Sequence, residues 1–475
     1  ASVFADAFFV AFRLPNTFRR LFAEGTFNAA FIPSYTDAKL ENKKKGKIFA
    51  DNVLNLLLLL LIFIVTLAEI FTPFFVYLIA PGFIGDNIKF DLAVELTRIT
   101  FPFLLFVSLS SFFSGVLNSN NKFAAASAAP IILNIVLILS IMISYNYNFN
   151  IAKQLSYGVT LAGIIQLVFL IFISWKFYKP SLRFEFKLSK KIKFFFKKLL
   201  PSVLSSGVTQ INILIGTIIA SFQSGAVSYL YYADRVYQIN LAIAGIAVGT
   251  VSLPVLSKAL KKRNLSKVFD IQNKSIELSL LLSIPASFGL IIASTEIVNG
   301  LFGYGSFTEN DVRMTSKALI FFGYGIIAFA LIKIFANFFF ARDNTKTPFY
   351  ISSLIVILNV IISVSYFRSI GFIIIPIATS LSTWAGVFIY LYLLYKNDIL
   401  ILQTKLIKNF FKIIVSSVLM SFILIIFLNK YANYLEYSSA YKSIYLLIIV
   451  GFVAAVYLLS CYLLGLLKLK NYKTN

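Results

Sequence analysis

The chain has 475 residues, of which 59% are hydrophobic and 13% charged, and its formal net charge is +24. Soluble domains are about 25% charged, so this composition and the apolar runs of membrane-spanning length that recur from end to end indicate a polytopic helical membrane protein. One cysteine and no histidine exclude a disulfide framework and a Cys–His nucleophile, and the basic residues lie in short loops, which indicates positive-inside topology rather than nucleic-acid binding.

The first predicted element, DAFFVAFRLPNTFRRLFAEGTFNAAFIPSY (6–35), is apolar and aromatic but contains charged residues. These are Asp6, Arg13, Arg19, Arg20 and Glu24. An arginine at the centre of a membrane helix costs at least about 2.5–3.5 kcal/mol, so such charges usually face a watery cavity and serve a function. We expect Pro15 to interrupt this helix, which is tolerated where the backbone lines a cavity.

Further spans follow in regular order, and the loops between them differ in basic content. Spans are predicted near 3–37, 48–79, 90–117, 123–145, 152–175, 196–222, 226–257, 266–295, 312–341, 348–367, 371–395, 409–428 and 442–467. Alternate loops, beginning with 39–47, contain most of the lysine and arginine residues, which predicts that these loops are cytoplasmic. The most basic of them, 179–195, is interpreted as a linker between two helical bundles that lies against anionic lipid.

The span SGAVSYLYYADRVYQINLAIAGIAVGTVSLP (224–254) contains Asp234 and Arg235 among tyrosines. Adjacent helical residues point about 100° apart, so Asp234 need not neutralise Arg235. Arg235 follows Arg13 by 222 residues, and Asn359 follows Asn134 by 225 within similar local sequences. These matching offsets predict an internal parallel repeat of the transporter kind.

The fold class predicted is an all-α polytopic membrane protein made of two six-helix bundles related by this repeat, with two extra C-terminal helices. The predicted divisions are an N-terminal bundle at 1–178, the linker at 179–195, a C-terminal bundle at 196–395 and the additional helices at 396–475. Only five helices of the first bundle are found, and loop charges leave Ala1 on the outside. We therefore expect one further span upstream, which has roughly 30 residues and contains another arginine.

The 6–35 and 224–254 segments together resemble two signature regions of the MviN/MurJ family of lipid II flippases, and the helix order agrees over the whole chain. The resemblance implies that Arg19 and Arg235 line a substrate cleft and that Arg13 assists them. Guanidinium groups suit a pyrophosphate headgroup because they bind phosphate through paired, charge-assisted hydrogen bonds. Asp6, Glu24 and Asp234 are predicted as gate or accessory residues.

Several structural alternatives stay open for these residues. Arg13 and Arg20 are equally well explained as structural or snorkelling charges, and Asp6 as an interfacial helix cap. Glu24 lies four residues after Arg20, where a salt bridge forms readily. Arg235 alternatively belongs to an interfacial belt with its neighbouring tyrosines.

The function predicted is transport rather than catalysis: lipid II crosses from the inner to the outer leaflet of a bacterial cytoplasmic membrane by alternating access. The expected partners are lipid II and the phospholipid bilayer, without nucleic acid. No catalytic residue, metal site or cofactor is predicted. Dependence on membrane potential or a monovalent cation is left open, although spans 348–367 and 371–395 lack the carboxylates by which some relatives bind a cation. The alternatives are a multidrug or oligosaccharide-lipid exporter of the same superfamily and a polyprenyl-phosphate transferase.

Overall fold

The computed structural model describes residues 2–23, 26–181, 207–208 and 210–467, and its regular secondary structure over these ranges is helical. Helices satisfy their backbone hydrogen bonds internally, as the apolar interior of a bilayer requires. Ten helical segments within the described ranges are long and apolar enough to cross a membrane. The predicted class of all-α polytopic membrane protein is therefore confirmed.

The described helices are numbered in chain order. Those in the first half are α1 (Val3–Ala23), α2 (Thr26–Glu41), α3 (Lys43–Ile70), α4 (Thr72–Ile79), α5 (Asn87–Thr100), α6 (Phe103–Ser119), α7 (Phe123–Tyr147), α8 (Ile151–Ser174) and α9 (Gln210–Ala220). Those in the second half are α10 (Ala226–Leu241), α11 (Val248–Lys261), α12 (Leu265–Ile292), α13 (Ser294–Phe302), α14 (Glu309–Phe340), α15 (Lys346–Ile370), α16 (Ile374–Lys396), α17 (Thr404–Lys430), α18 (Ala432–Leu435) and α19 (Lys442–Leu463). A π-helical segment, Ala242–Ala247, joins α10 to α11.

The chain forms two compact units, an N-terminal unit of residues 2–227 and a C-terminal unit from residue 228. In the N-terminal unit α1 packs on α5 and α6, and α8 packs on α6 and α7. In the C-terminal unit α14 packs between α12 and α16, and α17 joins α12 to α19. The bundles and the basic linker described above stay predictions, because the linker from residue 182 onward lies outside the described residues.

The predicted interruption of the first helix at Pro15 is wrong. α1 continues through Pro15 to Ala23, and a second helix begins at Thr26. Proline has no backbone N–H, so it leaves the carbonyl of Ala11, four residues earlier, without its helical donor. The hydroxyl of Thr100 donates to that oxygen at 3.0 Å. A side chain from α5 thus replaces the missing backbone donor, and the helix persists.

In the C-terminal unit, too, a side-chain hydroxyl takes the place of a backbone donor that a proline lacks. Pro285 lies inside α12 and leaves the carbonyl of Leu281 without its helical partner. The hydroxyl of Tyr457 on α19 donates to this oxygen at 2.7 Å. The last helix is therefore joined to α12 by a polar contact at the carbonyl that Pro285 leaves without its helical donor.

A polar cluster fixes the residues that follow α8 against α3. Asp51 accepts hydrogen bonds from the Tyr178 hydroxyl at 2.6 Å and from the Ser181 N–H at 3.1 Å. Burial, followed by this hydrogen bond to Asp51, raises the pKa of Tyr178, so the phenol stays a donor at neutral pH. The start of the predicted linker is therefore anchored to the N-terminal unit.

The loop charges predict which positions face outward in cells. Lys44, Lys262 and Ser306 are all exposed, whereas the single native Cys461 is buried. In a Cys461→Ala background, we expect a cysteine at position 306 to react with a membrane-impermeant thiol reagent added to intact cells. Cysteines at 44 and 262 should react only after the cells are opened. Labelling of position 44 from outside would reverse the predicted orientation.

Candidate functional site

Arg19 lies at a polar cavity inside the N-terminal unit, although it belongs to an apolar helix. Its side chain is half-buried, and its Nε donates to Oδ1 of Asn16 at 3.0 Å. The cavity has a volume of about 180 Å³. Its polar lining comes from α1, α2, α6, α7 and α8, namely Arg19, Asn28, Ser110, Ser111, Ser114, Asn118, Ser127 and Gln166. The guanidinium therefore has polar surroundings, as expected of a functional membrane arginine.

Several buried polar atoms of this cavity have no hydrogen-bond partner among the described residues. They are Nε2 of Gln166, Oγ of Ser110 and Oδ1 of Asn28. Gln166 and Ser110 are each only 4% exposed. Buried polar groups are paired in most proteins, and an unpaired one costs about 1–3 kcal/mol. Water or a polar ligand in the cavity would remove this cost.

Asp6 forms the most buried ion pair of the described part of the N-terminal unit. Its carboxylate is 1% exposed and accepts from Nζ of Lys89 at 2.6 Å and from the N–H of Gly225 at 2.9 Å. Lys89 occupies the first turn of α5, whose cap is Asp86, and its ammonium lies 4.2 Å from the centre of the Phe83 ring. Asp6 thereby ties the start of α1 to α5 and to the loop before α10.

A second contact joins the loop after α4 to the loop before α10. The N–H of Gly82 donates to Oγ of Ser221 at 3.0 Å. A Cβ at position 82 would lie only 2.3 Å from the Ser221 carbonyl oxygen, so only glycine permits this approach. According to the loop charges, these contacts belong to the outer end of the N-terminal unit.

The structure describes the other charged residues of the first element only in part. Arg13 is half-buried on α1, and its carbonyl accepts from the Thr17 hydroxyl at 2.8 Å. Arg20 belongs to α1, but its side chain lies outside the described part, and Glu24 lies outside the described residues altogether. The predicted Arg20–Glu24 salt bridge and the accessory role of Glu24 therefore stay predictions.

Arg235 is held by a tyrosine on its own helix. Its Nη2 donates to the Tyr231 hydroxyl at 2.7 Å, and its guanidinium carbon lies 4.7 Å from the centre of the Tyr231 ring. Asp234 on the same helix accepts from the side-chain amide of Gln238. The tyrosine fixes the direction of the guanidinium while leaving it half-buried. An anion is attracted to such a group because its charge is not cancelled by the phenol.

An apolar groove of about 770 Å³ lies in the C-terminal unit beside α10. Its walls come from α10, α12, α13, α17 and α19, and include Val236, Ile239, Leu282, Met420, Leu446, Val450 and Leu458. Val236, Ile239 and Asn240 line the groove, so the C-terminal half of α10, the helix that carries Arg235, forms part of its wall. Such a groove suits a long hydrocarbon chain.

Neutral oxygens, rather than carboxylates, are brought together between α15 and α16. The Ser363 hydroxyl donates to Oδ1 of Asn359 at 3.3 Å. The Thr379 hydroxyl, which donates to the Ile375 carbonyl at 2.7 Å, lies 3.5 Å from the same Asn359 oxygen. The described ranges contain no group of three or more His, Cys, Asp or Glu placed to bind a metal ion. Asn359 thus forms the interhelical contact typical of amides in membrane helices.

Three polar residues that the structure places in notable positions are not among the residues predicted from the sequence. Lys89 lies in a charged stretch, where nothing marks it as the partner of Asp6, and Gln166 is one amide among many apolar neighbours. Lys333 did carry a signal, because it is an isolated cation in the apolar part of α14. It lies exposed on the face where Ala330 packs close to Gly245. The rule that singled out Arg19 applies equally to Lys333.

Comparison with known proteins gives a consistent result over most of the chain. The family model described as lipid II flippase MurJ matches residues 1–446. A probable lipid II flippase MurJ of Rhizobium tropici is 35% identical over 469 residues, which cover 97% of this chain and 88% of that protein. Its counterpart in Rickettsia prowazekii is 38% identical over 433 residues, covering 90% and 85% respectively.

Solved structures agree with these sequence relationships. The inward closed conformation of a lipid II flippase MurJ is 28% identical, with a TM-score of 0.82 over 98% of this chain and 93% of that chain. An inward-facing multidrug resistance transporter of the MATE family has a TM-score of 0.70 but only 14% identity, over 85% of this chain and 94% of that chain. The second likeness shows a shared fold alone.

Proposed function

Because the chain belongs to the lipid II flippase MurJ family, we propose that it moves lipid II from the inner to the outer leaflet of a bacterial cytoplasmic membrane. Lipid II is an undecaprenyl pyrophosphate that carries a disaccharide-pentapeptide. Transport proceeds by alternating access of the two units, and the chain transports its substrate without altering it chemically.

The observation that carries this proposal is the arginine in the polar cavity of the N-terminal unit. A headgroup with a pyrophosphate must exchange water for protein contacts as it crosses the bilayer. Arg19 and Arg235 supply guanidinium groups, which form two parallel charge-assisted hydrogen bonds to a phosphate. Arg13 is the third binding residue proposed. A cationic drug would instead be repelled by these side chains, which favours an anionic lipid over the multidrug alternative.

The apolar groove is proposed to hold part of the polyprenyl chain. Val236, Ile239 and Asn240 of α10 line it, so a tail bound there would lie along the helix that carries Arg235. The tail would move from bilayer lipid rather than from water, so the groove would hold it through van der Waals packing and not through hydrophobic transfer. These contacts would not depend on the sugar or peptide.

Asp6 is proposed to close the outer end of the N-terminal unit while the protein is open to the cytoplasm. The bond to Gly225 must break if the loop before α10 moves away from α1, and the pair with Lys89 holds the Asp6 carboxylate in place to accept it. Asp234 is proposed as an accessory residue that orients α10 around Arg235, and Glu24 is proposed as a second accessory residue. These roles require that a substitution alters transport beyond what its effect on folding explains.

The direct test uses purified protein in lipid vesicles that contain fluorescent lipid II on one leaflet. We expect lipid II to cross in vesicles with the protein and not in empty vesicles, and the gene to restore growth of a bacterium depleted of its own flippase. The dependence of transport on a driving force is tested in the same vesicles by imposing a membrane potential or a gradient of a monovalent cation.

Transport of a cationic dye without lipid II movement would instead favour a multidrug exporter. Magnesium-dependent release or transfer of the sugar phosphate would favour the transferase alternative. Failure of both lipid II transport and complementation would contradict the proposed function.

A further inference from the structure

The N-terminal cavity presents more hydrogen-bonding capacity than the protein itself uses. Gln166 supplies a donor, Nε2, and Asn28 supplies an acceptor, Oδ1, and neither atom has a partner among the described residues. Ser110 adds a hydroxyl, which can donate and accept. Arg19 lies at the same cavity. A group that completes this set must therefore both accept and donate hydrogen bonds.

The chemistry of the lining distinguishes between candidate ligands. A phosphate has oxygens that accept hydrogen bonds, so it matches Arg19 and the Gln166 amide but is opposed by the acceptor of Asn28. A secondary amide has both a carbonyl oxygen and an N–H. The apolar side chains of Val107, Leu133 and Leu170 complete the lining and suit a methyl group.

We propose that this cavity binds an acetamido group of the sugar next to the pyrophosphate. This inference rests on the proposed function and extends it to recognition of the sugar. The acetamido carbonyl accepts from Nε2 of Gln166, its N–H donates to Oδ1 of Asn28, and its methyl group contacts the apolar wall. Arg19 binds the adjoining phosphate.

The size of the cavity agrees with this occupant. Its volume of about 180 Å³ corresponds to about six waters at roughly 30 Å³ each. This space exceeds that of an acetamido group and is smaller than that of a disaccharide. One substituted end of a sugar therefore enters the cavity, while the remainder of the headgroup stays outside it.

The experiment compares two substrates in reconstituted vesicles: lipid II and the same lipid with its sugar acetamido groups replaced by hydroxyl groups, which adds no charge. Wild type is expected to transport the acetylated lipid about tenfold faster at limiting concentration, which corresponds to about 1.4 kcal/mol for lost hydrogen bonds. Gln166→Leu is expected to transport the acetylated lipid about tenfold more slowly than wild type and to lose the preference. Ser110→Ala provides a second, smaller change in the same cavity.

Gln272→Leu is the matched control. Gln272 lies on α12, is fully buried, and has two side-chain amide atoms without partners among the described residues, yet it does not line this cavity. Both substitutions remove a buried amide of similar size, so neither is expected to prevent folding. Gln272→Leu should keep the preference of wild type.

The outcomes separate this inference from the proposed function. Equal transport of both lipids by wild type, or an unchanged preference in Gln166→Leu, overturns the acetamido site and leaves the flippase proposal intact. If Gln166→Leu lowers the transport of both lipids by the same factor, the acetamido site is also overturned, because Gln166 would then bind the phosphate that both lipids share. A wild-type protein that transports neither lipid overturns the proposed function and the acetamido site with it.

Discussion

Replacing Arg19 or Arg235 with alanine is expected to lower lipid II transport by roughly 10- to 150-fold and to abolish complementation. The estimate follows from the loss of a charge-assisted hydrogen bond, worth about 1.5–3 kcal/mol. Folding should be little affected, since each side chain is only half-buried and bonds to a neighbour on its own helix. The measurement is the initial rate of lipid II transfer in vesicles with equal amounts of protein.

Arg313→Ala is the matched control for these variants. Arg313 is exposed near the start of α14, where its Nη2 donates to Asn310. This substitution removes the same charge and should leave transport unchanged. Arg19→Lys should recover only part of the rate, because an ammonium cannot form the paired contacts of a guanidinium. Normal transport by both alanine variants would contradict the arginine–phosphate hypothesis.

Breaking the Asp6–Lys89 pair is expected to produce the largest loss of stability. Removal of one partner from a buried pair leaves an uncompensated charge, which costs about 3–5 kcal/mol. Asp6→Asn keeps an acceptor for the Gly225 N–H but leaves the ammonium of Lys89 buried against Phe83. We therefore expect a clearly lower thermal-unfolding midpoint in detergent for this variant.

The double variant Asp6→Asn, Lys89→Met tests the origin of that loss. It removes both charges, so most of the stability should return. An exposed pair in the same unit, Lys153 with Glu95, provides the control, and Glu95→Gln should cost less than about 1 kcal/mol. If Asp6→Asn is as stable as wild type, the buried pair does not hold the outer loops together. If the double variant is stable but transports lipid II at the normal rate, the gate role of Asp6 fails.

Helix continuity illustrates where local sequence rules reach their limit. Pro15 predicts a break because it removes a hydrogen bond within its own helix. Thr100, which restores a donor to Ala11, is 89 residues from it in the chain. The rule was correct about the missing bond, but the consequence depended on a neighbour that no pattern near Pro15 reveals.

The sequence by itself determined the class of the protein and its family, and it predicts that Arg19 and Arg235 bind the substrate. The physical reason is that hydropathy and the cost of a membrane charge are properties of a short segment. Tertiary structure alone decided that Asp6 pairs with Lys89, that Gln166 joins Arg19 at one cavity, and that Tyr457 contacts Leu281. Such contacts depend on the rotation and axial position of each helix against its neighbours. Lipid favours burial of all apolar faces alike, so these positions are fixed only by packing and by polar pairing between helices.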